Sequence, residues 1–232
     1  DGIRDDLVTG VQTCALPISL KSVYKDFDPE IKIVKKENIF FEDILINKIR
    51  SIKNVSAVTS VLENKVILQN KEKEVVANLK GVGDNFIDQK RIVNNMTEGE
   101  FFFDQNKLDY AVFGRGIKYS LGITSDTDFQ NIKAYSLNNT GKLSPILLQQ
   151  NFFNQKNLKV AGVFAIENNF DNSYVFCSLL FAQELFNKKN MISSYEVKLF
   201  DESKIIKTKE EIIALLGNEF SVLSNIEQRD EI

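Results

Sequence analysis

Histidine is missing from all 232 positions of this chain. Ser-His-Asp and Cys-His catalysis and His-ligated zinc are therefore excluded. Cysteine occurs only at Cys14 and Cys177, and Cys14 falls in a stretch set aside below. The remaining Cys177 cannot form an internal disulfide and reads as a small hydrophobe in an apolar strand. A basic excess is also lacking, with 29 Lys and Arg against 32 Asp and Glu, so nucleic acid is not an expected partner. No apolar run approaches the roughly 20 residues that span a bilayer, so these residues read as soluble. Heptads, solenoid periods and low-complexity tracts are absent.

The first residues stand apart. Residues 8–18 read VTGVQTCALPI, which resembles the translation of a common sequencing adapter. A signal peptide fits poorly, because Thr9, Gly10, Gln12 and Thr13 break the apolar run and the preceding residues are acidic. Residues 1–18 are set aside as an expected artefact, disordered or loosely packed, with the reading frame truncated upstream. Without Asp1, Arg4, Asp5 and Asp6 the chain carries 28 basic and 29 acidic residues.

What is present is a sequence of strands and helices around one central unit, residues 158–186. It opens with the apolar strand KVAGVFA at 159–165 and turns through the Asn- and Asp-rich stretch 167–173. A second strand, 174–179, then runs into a helix with Leu180, Phe181, Leu185 and Phe186 as its apolar residues. Upstream, a strand is expected at 31–34, and a helix capped by Asn38 at 41–52 with Phe41, Ile44, Leu45, Ile49 and Ile52 on one face. Runs 55–69 and 74–81 form a hairpin, followed by a helix at 86–94. Strands at 110–113, 129–137, 144–150 and 158–165 then surround a short helix at 115–121 that ends at Gly122, with turns at 138–141 and 154–157. Near the end, alternation over 194–200 predicts a half-buried strand with Tyr195, Val197 and Leu199 inward and Glu196 and Lys198 outward. TKEE at 208–211 reads as a capping box before a helix stopped by Gly217, and 220–224 is the last strand. The closing strand–helix–strand mirrors the opening one, so the two ends are expected to share one α/β unit with a β-rich insertion between them.

No chemical motif is complete. Gly114, Arg115 and Gly116 begin a dinucleotide fingerprint, but Tyr119 stands where the third Gly belongs; small residues between a strand and a helix fit better. Asp126 and Asp128 lack the Gly and distal Glu of a calcium loop. Glu167 and Asp171 read as turn formers in an exposed turn, with no base partner or oxyanion donor. The aromatic runs Phe101, Phe102, Phe103 and Phe152, Phe153 are more informative. Neighbours on a strand point to opposite faces, so each run sends at least one ring inward and leaves a partly exposed patch. That patch suits a partner protein or an acyl chain.

Several strings, in order, resemble the extracytoplasmic domain of lipoprotein-releasing ABC-transporter permeases of the LolC/LolE type, relatives of the MacB-type permeases. They are DPEIKI at 28–33, IRSIKNV at 49–55, KGVG at 80–83 with Asp84 displaced by one, and VFG at 112–114 through Leu121 and Gly122. The central unit and the closing strand–helix–strand complete them. The resemblance implies an α+β fold: a discontinuous α/β porter-like subdomain (19–97 and 192–232) carrying an inserted β-rich, sabre-like subdomain (98–191). It implies a non-catalytic module without cofactors, on the periplasmic face of the inner membrane between two transmembrane helices, one upstream of Ser19 and one after Ile232. Its implied partners are a second permease subunit, a cytoplasmic ATPase subunit, a lipoprotein substrate and a periplasmic lipoprotein carrier. A MacB-like efflux or mechanotransmission domain is the alternative, and a free-standing soluble binding protein or enzyme the third.

Overall fold

A hairpin of unusual length is the spine of this computed structural model, which describes residues 27–105, 108–124, 131–137 and 153–230. Its arms are β3 (Val55–Asn70) and β4 (Lys73–Val82), with the whole of β4 paired to residues 61–70 of β3 around a tight turn with Lys71 at φ 55°. The first half of β3 also pairs with β12 (Ser194–Leu199), and β12 pairs in turn with β1 (Ile31–Lys35) and β1 with β13 (Phe220–Ser224). Strands from early and late in the sequence thus lie side by side.

On its other side β4 pairs in parallel with β10 (Tyr174–Ser178), which pairs with β7 (Leu108–Gly114), itself parallel to β9 (Phe153–Phe164). Strand β8 (Ile132–Leu137) joins β9 to the far end of β3. Six strands, β3, β4, β10, β7, β9 and β8, therefore close on themselves, leaving no free edge within the ring. Their inward side chains, among them Leu62, Leu68, Leu79, Phe113, Ile132 and Cys177, form the largest core cluster. Two short helices complete it, α2 (Arg115–Ser120) through Ile117 and α4 (Leu179–Leu185) through Phe181, Ala182 and Leu185. Beyond the ring lie β5 (Met96–Gly99) on β9, the two-residue strand β6 (Asp104–Gln105) on β7, and β2 (Phe41–Glu42) paired with β11 (Met191–Ile192). A second core sits under α1 (Ile46–Arg50) and α5 (Ile205–Leu216), built from Ile31, Ile33, Tyr195, Val197 and Val222. One-turn helices α3 (Asn168–Asp171) and α6 (Glu227–Asp230) complete the set. The result is an α+β fold in which strands dominate.

Several expectations change, among them the turn expected at 154–157, which is part of β9 and pairs with β8. The helix expected at 41–52 is strand β2 followed by short α1: Phe41 pairs with Ile192 and its ring fits between Tyr195 and Phe220, at 5.7 and 5.4 Å. Asn38 caps nothing; the Leu45 amide donates instead to the Tyr195 hydroxyl. The helix expected at 86–94 is two 3-10 turns, Asp84–Gln89 and Val93–Asn95, separated by Lys90 at φ 56°. Here the side chains of Asn85 and Gln89 bond to β3, and long-range contacts override helical propensity. Thr208 lies inside α5, where its hydroxyl donates to the Lys204 carbonyl and accepts from Asn54. Leu180, expected on the buried face of α4, is 64% exposed. The expectations for residues 1–18, for a strand at 144–150, for the turn at 138–141 and for Asp126 and Asp128 lie outside the described residues.

Gly81 marks where α4 crosses the sheet: a Cβ there would lie 2.3 Å from the Cβ of Ala182. Gly81→Ala should lower unfolding free energy by about 1–3 kcal/mol through overpacking, measured by urea titration. An unchanged midpoint would mean that α4 does not seat on β4 as described.

Candidate functional site

The polar centre of the molecule lies on the face of β12 that alternation assigned to solvent. Glu196 is 1% exposed because the segment 84–95, with its two 3-10 turns, covers this face. Its carboxylate meets Lys80 from β4, one strand beyond β3, at 2.7 Å and the guanidinium of Arg91 from the covering segment. Both cations also lie over aromatic rings: Lys80 over Phe27 and Phe176 at 5.0 and 5.8 Å, Arg91 over Phe86 at 4.9 Å. The ring faces supplement a single carboxylate that serves two cations. Burial by itself would raise the Glu196 carboxyl, but Lys80 and Arg91 outweigh it and hold the group at about 2. The Glu30 carboxyl nearby is shifted the other way, upward, mainly by burial.

The same cluster holds the start of the described chain. Arg91 donates to the Phe27 carbonyl at 2.9 Å. The Phe27 ring stacks on Phe170 at 4.0 Å and meets Tyr174 and Phe176 edge-on. At the other end, the Asn225 amide donates to the Glu30 carbonyl and the Gln228 side chain to the Pro29 carbonyl, at 3.0 and 3.1 Å. The chain therefore enters β1 and leaves β13 at one place.

Residues 101–103 lie between β5 and β6, outside any strand, and their rings are divided between two sides. Phe101 and Phe103 turn toward the aromatic core, 5.0 Å apart, with Phe101 stacked 6.0 Å from Phe86. Phe102 faces the other way, half-buried against Tyr110 at 4.8 Å, with Leu108 exposed nearby in sequence. Phe153 begins β9, but its side chain, like the whole of Phe152, lies outside the described residues.

The remaining candidates are structural. A Cβ on Gly114 would lie 2.3 Å from the Asp171 carbonyl oxygen, and one on Gly116 1.7 Å from Asn172 Oδ1. These glycines let α2 approach α3; they do not open a phosphate loop. Asp171 is buried, not exposed as expected, because its carboxylate accepts from the Ile166 and Glu167 amides and faces Arg115 at 3.7 Å. Glu167 caps α3 by accepting from the Asn169 amide. Among the described residues no group of three His, Cys, Asp or Glu is placed to hold a metal. Three shallow concave surfaces share Lys35; the roomiest of these three, about 510 Å³, lies along Phe40, Ile44, Leu45, Met191 and Phe220. No described helix is long and apolar enough to cross a membrane.

Sequence reasoning missed Glu196, Lys80 and Arg91 as a unit. The one available signal was Lys80 itself, a lone cation late in an apolar strand, which needs a buried partner. Glu196→Gln should cost about 3–5 kcal/mol at pH 7, because it leaves two buried cations without their counter-charge. The folded Glu196 carboxyl is depressed below its ordinary value of 4.5, so its contribution is fully present above that value. It is lost as pH falls toward about 2, and the gap between wild type and variant should close over that window. Urea titrations from pH 7 to 2.5 check this, and a gap independent of pH would refute the assignment.

No protein-family model and no curated protein matches this chain. Solved structures do. The extracellular domain of the noncanonic ABC-type transporter YknZ from Gram-positive bacteria superposes with a TM-score of 0.60 at 16% identity, over 84% of this chain and 99% of that one. The periplasmic region of MacB from Actinobacillus actinomycetemcomitans superposes with a TM-score of 0.53 at 15% identity, over 87% and 92%. This chain has the mixed, strand-dominated α/β fold of these extracytoplasmic transporter domains.

Proposed function

We propose that the chain is the extracytoplasmic domain of an ABC-transporter permease, a non-catalytic module that turns ATP hydrolysis in a separate cytoplasmic subunit into movement outside the membrane. The observation that carries this reading is the shared point of entry and exit: Ile31 pairs with Ser224, and Pro29 meets Gln228. A domain whose ends are adjacent can be inserted between two membrane helices without disturbing their spacing. The fold likeness to the YknZ and MacB domains supports the same reading.

In this proposal β1, β12 and β13 with α1 and α5 belong to a porter-like unit (19–97 and 192–232), and residues 98–191 to a sabre-like one. The partners are a second permease subunit, the ATPase subunit, a lipoprotein substrate and a periplasmic carrier, with Phe102 and Tyr110 as the outward part of the contact surface. The order of sequence strings favours release of outer-membrane lipoproteins from the inner membrane. The MacB-like reading, efflux or mechanotransmission, is favoured by the fold likeness to the MacB region.

Long-read sequencing across the gene tests the common core of both readings. An apolar segment of about 20 residues is expected upstream of Ser19 and another beyond Ile232; a start codon near Ser19 with a stop after Ile232 would overturn it. Depletion of the full-length protein then separates the branches: lipoproteins held in the inner membrane indicate release, and drug sensitivity with normal lipoprotein sorting indicates efflux.

A further inference from the structure

Two segments of the described chain lie against the sheet with little ladder bonding of their own. One is the entry, residues 27–30. The other is the cover, residues 84–95, whose backbone bonds are short-range 3-10 contacts such as those donated by Phe86, Lys90 and Asn95. Polar bonds attach the cover to the sheet: Asn85 to Thr59 and the Val58 carbonyl, Gln89 to Thr59, and Lys198 to the Gln89 carbonyl. Phe86 and Ile92 add its apolar contacts. Arg91 belongs to both segments, since one nitrogen of its guanidinium binds the Phe27 carbonyl and the other the Glu196 carboxylate. Freeing the entry removes one bond from Arg91 and the Phe27 ring from Lys80; freeing the cover removes Arg91 from Glu196 and leaves the entry carbonyl unmet.

We infer that the entry and the cover form one cooperative latch, fastened by Arg91 and Glu196, that opens as a unit while the six-stranded ring stays closed. An open latch frees Phe86 from Phe101, whose ring stacks on it 6.0 Å away. The latch thus connects the point where the chain enters with the aromatic run at 101–103 through contiguous side chains. It rests on the transporter reading only for its use, and the experiment below tests it without that reading.

Native-state hydrogen exchange on the full chain in low urea decides the matter. The Asn225 amide, which reports the entry through its bond to the Glu30 carbonyl, and the cover amides of Phe86, Lys90 and Asn95 should exchange through a single shared opening, with one urea dependence, well before those of β3 and β4. Arg91→Met keeps the Lys80–Glu196 pair and should speed that opening about tenfold or more, while exchange in β3 and β4 stays within about twofold. Glu196→Gln, where it folds, should act on the same two segments. Exchange of the two segments with different urea dependences, or only together with β3 and β4, would overturn the latch. So would an Arg91→Met variant that accelerates one segment alone, all segments equally, or none.

Discussion

A carboxylate with 1% exposure, facing two cations, constrains much of the rest of the molecule. Removing each of these charges from water costs several kcal/mol, and their mutual attraction repays that only where the geometry is close. The cluster is therefore a poor source of net stability but a strong source of position. Glu196 must sit on β12 beside β3, Lys80 must lie one strand further on, and the cover must deliver Arg91 from above. Any slip by one residue in the β3–β12 register would turn Glu196 into the core face that holds Val58, Ile31 and Ile33, and would carry Tyr195 and Val197 out of it.

Much of the fold was legible in the sequence because its long elements carry local signals. The β3–β4 hairpin, the strand–turn–strand–helix unit around Tyr174 and the terminators Gly122 and Gly217 follow from periodicity and turn chemistry, and all are found. The short elements were not legible. Phe41 fits a helical face by spacing, yet its ring is held between Tyr195 and Phe220, residues more than 150 positions away. The sequence TKEE at 208–211 has the form of a cap, but Asn54 draws Thr208 into a different bond.

The candidate site was less legible still. Alternation correctly placed Tyr195, Val197 and Leu199 inward, and the same rule sent Glu196 outward, because a two-state pattern cannot see that a distant segment returns to cover the second face. The Phe101–Phe103 run was readable in part: its rings do split between two sides, although these residues join β5 to β6 and form no strand. Which ring faces out depended on Phe86 and Phe176, contacts that no local pattern records.

Strand β3 belongs to the closed ring through β4 and β8 and to the end strands through β12. At about 3.3 Å per residue, its 16 residues form one unbroken rod, and nothing along it resembles a hinge. The place where β1 and β13 meet is thus joined to the ring through β12 and a single continuous strand, with no loop in between.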